Sequence, residues 1–165
     1  MKRNIFGILL AVFSMLAFSA CEKEDDVLVS DVPQAVFNTF KAKYPNILPE
    51  WESKQGYYIA EFFQEGMETE MWITAQGEWA MTEMDLGMNL NLLPQQVLDA
   101  FQASVYATWR VDDLDKYERP DRTFYVIEVE SAGQADRDLY YTPDGVLIKD
   151  VVDNENNDIT PNTKL

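Results

Sequence analysis

Apolar residues recur along this chain in three rhythms. From Ile5 to Phe18 they run almost unbroken, behind a short positive patch at Lys2 and Arg3. Further on they recur at helical spacing, as Val36, Phe37, Phe40 and Tyr44, and again as Val97, Leu98, Phe101 and Val105. Elsewhere short aromatic and β-branched runs lie between turn residues, the pattern of strands. These runs cover Tyr57 to Phe63, Thr69 to Thr74 and Glu78 to Met84, then Thr123 to Glu130, Asp138 to Thr142 and Val146 to Val152. Shorter strands are expected around Trp51 and around Trp109 to Val111. Gly56, Gly66, Gly77, Pro120-Asp121, Gly133 and Asp144-Gly145 punctuate them.

The order repeats. Val32-Pro33-Gln34-Ala35-Val36-Phe37 aligns with Leu93-Pro94-Gln95-Gln96-Val97-Leu98, and each stretch runs on to Phe40 or Phe101. Tyr57 to Phe62 aligns with Phe124 to Val129, and Met71 to Gly77 with Leu139 to Gly145. Two units are too few for a solenoid and read as a duplication. Proline is tolerated in the first helical turn, where its missing N–H has no partner to lose. Ser30 or Asp31, and Asn91, are the expected N-caps; Pro45 and Pro49 end the first helix. The predicted class is α+β: a tandem duplication of a helix-plus-antiparallel-sheet (α-β3–4) unit, with each helix covering one sheet face. The predicted boundaries are a signal segment over 1–20, an acidic tether over 21–31, units over 32–91 and 92–152, and a polar tail over 153–165.

The Pro-containing helix start, the aromatic strand and the Gly hairpin resemble the PepSY-like, β-lactamase-inhibitor-protein-like lipoproteins of Gram-negative bacteria. The likeness spans Val32 to Val152. It implies an exported tandem module with no established enzymatic activity, and a shared fold does not by itself carry the inhibitor function.

The first apolar run is too short for a membrane span, which needs about 20 residues. With its basic start and small Ser19-Ala20 it has the form of a secretory signal. Phe18-Ser19-Ala20-Cys21 resembles a lipobox, with Phe18 where that family prefers Leu. Cys21 is the only cysteine, and the resemblance makes it the lipidation site. The following Lys23-Glu24-Asp25 resembles a signal that sends lipoproteins to the outer face of the outer membrane. A periplasm-facing lipoprotein with a solvated acidic linker is the alternative.

Charge narrows the partners. The chain carries 13 basic and 29 acidic residues; without Lys2 and Arg3 the balance is 11 against 29, a net charge of −18. Such a surface repels nucleic-acid phosphates and anionic membranes, so membrane contact is expected through lipid alone.

Chemistry is sparse. The chain has no histidine, which removes His-based dyads and His-ligated zinc. No phosphate loop or dinucleotide fingerprint occurs. No catalytic residue, cofactor or metal site is expected. Glu61 and Glu128 occupy matching strand positions and are expected to face solvent. Asp112-Asp113-Leu114-Asp115 lacks the spacing of an EF-hand and reads as a solvated loop, as does Asp153 to Asp158 within the tail.

Strand alternation divides the aromatic residues between two faces. Tyr58, Ala60, Phe62, Met71 and Ile73 share one; Tyr57, Ile59, Phe63 and Trp72 share the other, with Phe124, Val126 and Tyr140 in the second unit. If the second face lies open, Tyr57, Ile59, Trp72, Phe124 and Tyr140 form an apolar patch suited to a protein or peptide partner in the envelope, and an inhibited enzyme is one such partner. Burial of that face inside the fold is the competing expectation. A small-molecule or divalent-cation binder is the alternative function.

Overall fold

A computed structural model describes residues 25–153 and 158–165. The expected signal segment and Cys21 lie outside the described residues, as do residues 154–157. Two helices, α1 (Gln34–Lys43) and α2 (Gln95–Gln102), each precede four strands. After α1 come β2 (Glu50–Lys54), β3 (Tyr57–Gln64), β4 (Met67–Thr74) and β5 (Trp79–Asp85). After α2 come β6 (Arg110–Arg119), β7 (Arg122–Glu130), β8 (Arg137–Tyr141) and β9 (Leu147–Val152). A two-residue β1 (Asp25–Asp26) pairs with β2. The strands form one antiparallel sheet whose order is the order of the chain.

Both helices lie on one face. Val36 and Phe40 of α1 are buried against Trp51, Ala60, Phe62, Met71 and Ile73. Phe40 meets Trp51 and Phe62 edge-on, with ring centroids 5.6 and 5.3 Å away. In the second unit Val97 and Phe101 of α2 cover Leu114, Tyr125, Ile127, Val129, Leu139 and Tyr141. The hairpin after β4 and the hairpin after β8 close alike: Gly77 N–H donates to Thr74 O at 2.8 Å, and Gly145 N–H to Thr142 O at 2.9 Å. Each glycine abuts its own helix. A Cβ on Gly77 would stand 2.8 Å from Ala35 O, and one on Gly145 2.4 Å from Gln96 O. The duplication therefore extends to the way helix and hairpin meet.

The other face holds a third core that joins the units. Ile59, Trp72 and Met81 of the first pack with Tyr117, Phe124, Val126 and Tyr140 of the second. The register shifts at Trp72/Ile73 and at Tyr140/Tyr141, equivalent places in the two units. Such bulges increase twist. Lys54 on β2 and Asp138 on β8 line one cavity; six strands apart in a flat sheet they would be about 29 Å from each other, at roughly 4.8 Å per strand. The sheet is thus curled around this inner face.

Three local expectations are corrected. The helices begin at Pro33 and Pro94 with no side-chain cap; Ser30, Asp31 and Asn91 instead belong to short 3-10 turns just ahead. Val105 is 83% exposed, because α2 stops at Gln102 and the chain turns away before reaching it. The segment from Asp112 to Asp115 is the middle of β6, not a loop; neighbouring β5 and β7 supply ladders on both sides.

Candidate functional site

The face assignment read from alternation holds. Ile59, Trp72, Phe124 and Tyr140 share the inner-face cluster, with Tyr57 against its edge. The expectation that this face lies open is corrected. Ile59, Trp72, Phe124 and Tyr140 are each at most 3% exposed. Two causes act together: the sheet curls, and residues Asp158 to Leu165 cross the face. Ile159 and Leu165 pack on the cluster. Tyr57 donates its hydroxyl to Asn162 Oδ1 at 3.3 Å. Phe63, assigned to the same face, is 69% exposed.

Along the strands, the aromatic part of the inner face gives way to an acidic part. Strand register creates it. Glu61 opposes Glu70, and Glu70 opposes Glu83, so β3, β4 and β5 present three carboxylates in a row. Asp85 opposes Asp115 across β5 and β6. Asp113 opposes Glu128, and Glu128 opposes Asp138, across β6, β7 and β8. Glu128 was expected to face solvent; it lines a cavity instead. Asp113 and Asp115 alternate with Leu114, which is fully buried on the helix side, so β6 holds both acids inward.

Two connected hollows result. The larger, about 330 Å³, is walled by Glu70, Glu83, Asp115, Glu128, Asp138 and Asp153, with Trp72, Tyr117 and Tyr140 as its aromatic wall. Among the described residues Lys54 is its one cationic lining side chain. The smaller, about 200 Å³, is lined by Glu68, Glu70, Glu83, Asp85, Asp113 and Asp115, all carboxylates. Tyr117 donates its hydroxyl to Glu83 Oε1 at 2.9 Å, and Trp72 donates Nε1–H to Glu70 Oε2 at 3.0 Å.

Like charges directly opposed across strands are unfavourable, and burial adds to that cost. Burial, reinforced by Glu70, pushes the Glu83 carboxyl up to about 8 despite the Tyr117 hydrogen bond. Burial and the neighbouring Glu83 raise Asp115 to about 9. Burial, with Asp153 and Asp138 nearby, raises Glu128 to about 7. The cleft thus holds protons near neutral pH and would release them to a positive ligand. Two carboxylate triads, Asp85–Asp113–Asp115 and Glu128–Asp138–Asp153, keep their oxygens within 4.8 Å of one another, a spacing that a divalent cation with oxygen ligands can use.

Glu70, Glu83, Asp85 and Asp138 escaped sequence reading. The available signal was their alternation: each shares strand parity with a buried inner-face residue, Trp72 for Glu70, Met81 for Glu83 and Asp85, and Tyr140 for Asp138.

Comparison with known proteins places this geometry. A family described as "Putative beta-lactamase-inhibitor-like, PepSY-like" matches residues 19–54 and 56–149. A BLIP-like protein from Bacteroides fragilis NCTC 9343 is 38% identical, with a TM-score of 0.69 over 77% of this chain and 92% of that one. A DUF2874 family protein from Bacteroides ovatus ATCC 8483 is 35% identical, with a TM-score of 0.69 over 73% and 86%. A protein from Bacteroides eggerthii DSM 20697 described as a putative periplasmic protein is 27% identical, with a TM-score of 0.67 over 73% and 88%. A search of curated proteins found no match. With its helix-on-sheet repeat and its curled meander, the chain belongs to the PepSY-like, β-lactamase-inhibitor-like family.

Proposed function

We propose that this chain is a non-catalytic, lipid-anchored module of the cell envelope that binds a protein partner by admitting its basic side chains to the acidic cleft. One observation carries the reading: strand register sets carboxylates against carboxylates from β3 to β8. That arrangement costs folding stability. It is accounted for if a cationic group is to be received there. The aromatic wall of Trp72, Tyr117 and Tyr140 suits the stem and charged head of Lys or Arg.

The binding mode differs from an open aromatic patch. Tyr57, Ile59, Trp72, Phe124 and Tyr140 now serve as the floor that shapes the cleft, and the rim carboxylates make the contact. An envelope location is supported by the signal-like start and by the periplasmic description of the Bacteroides eggerthii relative. Lipid on Cys21 would hold the module at the membrane, facing the periplasm or the cell exterior. The family name suggests that the partner is an enzyme inhibited by the contact.

A photo-crosslinking residue at Glu70, compared with one at Asp99 on the exposed side of α2, tests the reading in intact cells. The expected result is one dominant adduct from position 70 that position 99 does not give. The same adducts from both positions would contradict it.

The two carboxylate triads favour a second reading, a divalent cation. Its test is calcium titration at pH 8. A saturable rise in melting temperature, removed by Asp115→Asn combined with Glu128→Gln, one from each triad, supports it; no rise excludes it.

A further inference from the structure

The aromatic half of the inner face has an occupant of its own. Residues Asp158 to Leu165 cross it without forming a strand. Their described backbone hydrogen bonds are made locally or to one side chain. Thr163 N–H donates to Thr160 O at 3.0 Å, and Thr160 N–H to Thr163 Oγ1 at 2.9 Å. Arg119, at the end of β6, donates from Nη1 to Thr163 O at 2.7 Å and from Nη2 to Thr160 O at 2.6 Å. The same guanidinium lies 5.2 Å from the Phe124 ring centroid. Thr160 is buried, and Ile159 and Leu165 contact the aromatic cluster.

Each of these anchors is of a kind that a separate peptide can supply. Arg119 recognises two main-chain carbonyls that the Thr160–Thr163 turn brings side by side, and any segment able to make that turn offers them. The cluster takes two aliphatic side chains, and one small hydroxyl side chain is enclosed. The segment also shares no ladder with the sheet, so its release breaks no strand pairing. We infer that Asp158–Leu165 is an exchangeable strap: it fills a peptide groove floored by Trp72, Phe124 and Tyr140, and a partner segment with the same turn and the same aliphatic-threonine chemistry takes its place. This groove adjoins the acidic cleft and shares Trp72, Tyr140 and Ile159 with it, but its own occupant is a peptide main chain and aliphatic side chains, whatever the cleft binds.

The test uses the full chain. Ile159→Asp with Leu165→Asp weakens the strap and leaves every groove residue intact. The probe is a fluorescently labelled peptide with the native sequence of residues 158–165, followed by anisotropy, while hydrogen exchange is read on the strap and on β7. In the variant, strap amides should exchange faster while β7 protection stays as in the native chain. The peptide should bind the variant saturably and the native chain at least about tenfold more weakly, because the tethered strap competes at an effective concentration of order millimolar. Adding Arg119→Gln should abolish peptide binding. Loss of β7 protection together with the strap would show one cooperative core and overturn the inference. So would an unchanged strap, or an opened strap whose groove takes no peptide.

Discussion

Tyr117 on β6 donates its hydroxyl to Glu83 on β5 at 2.9 Å, yet the Glu83 carboxyl stays raised to about 8. The donor favours the carboxylate form. Burial and the opposing Glu70 outweigh it. The inner face is therefore a place where folding and charge conflict, and the conflict can be measured.

Glu83, Asp115 and Glu128 all have folded values above their ordinary ones, at about 8, 9 and 7. In that window the folded state binds more protons than the unfolded state, so stability falls as pH rises. Their contribution is fully present below about pH 4, the ordinary carboxylate range, and declines until the pH passes the folded values. Melting temperature should drop by several degrees between pH 5 and pH 9. A flat or rising profile measured by circular dichroism would remove this account of the cleft.

Glu83→Gln should raise stability at pH 9 by about 1 kcal/mol, the scale of one opposed like-charge pair, or about 3 °C in melting temperature. At pH 5 Glu83 is already protonated, and the variant should melt within about 1 °C of the native chain. Equal gains at both pH values would point to side-chain shape and not to charge.

The two hairpin glycines should be irreplaceable for a shared reason. Gly77 and Gly145 sit at φ +86° and +82°, and each leaves no room for a Cβ against helix backbone. Gly77→Ala or Gly145→Ala should cost about 2–5 kcal/mol, combining left-handed strain and overpacking. Gly133, at φ +76° with open space around it, should lose only about 1–2 kcal/mol on the same change. Urea denaturation of the three variants checks the ranking.

The helix-side cores should respond as a pair. Phe40 and Phe101, at most 3% exposed, occupy equivalent places in the repeat. Either change to Ala should cost about 3–5 kcal/mol. Phe63→Ser, on an exposed side chain, should stay within about 0.5 kcal/mol.

Much of this fold was legible in the chain. Helical spacing located Val36, Phe40, Val97 and Phe101, and alternation placed Ile59 and Trp72 on the face opposite Ala60 and Ile73. Both signals are local. What failed was decided by tertiary pairing. Asp112 to Asp115 has poor strand propensity and reads as a loop, but β5 and β7 enforce a strand there. The cover over Trp72 and Tyr140 comes from residues 158–165, remote in sequence and free of periodicity. The acidic cleft depends on register between strands, as for Asp85 and Asp115, which hydropathy does not encode. One clue was present: Glu61, Glu70, Glu128 and Asp138 share parity with the inner aromatic residues.

The proposed role stands on the cleft accepting basic side chains at specific carboxylates, beyond the general attraction of a highly negative chain. Fluorescence anisotropy of a labelled Lys- and Arg-containing peptide at physiological salt, where general attraction beyond about 8 Å is screened, measures this directly. Glu83→Gln with Asp115→Asn is compared with Asp99→Asn with Asp144→Asn, which removes the same number of carboxylates from exposed positions outside the cleft. The cleft pair should weaken binding at least about tenfold, a difference of about 1.4 kcal/mol, while the outer pair leaves it nearly unchanged. Equal weakening by both pairs would show attraction to net charge alone and contradict the assignment.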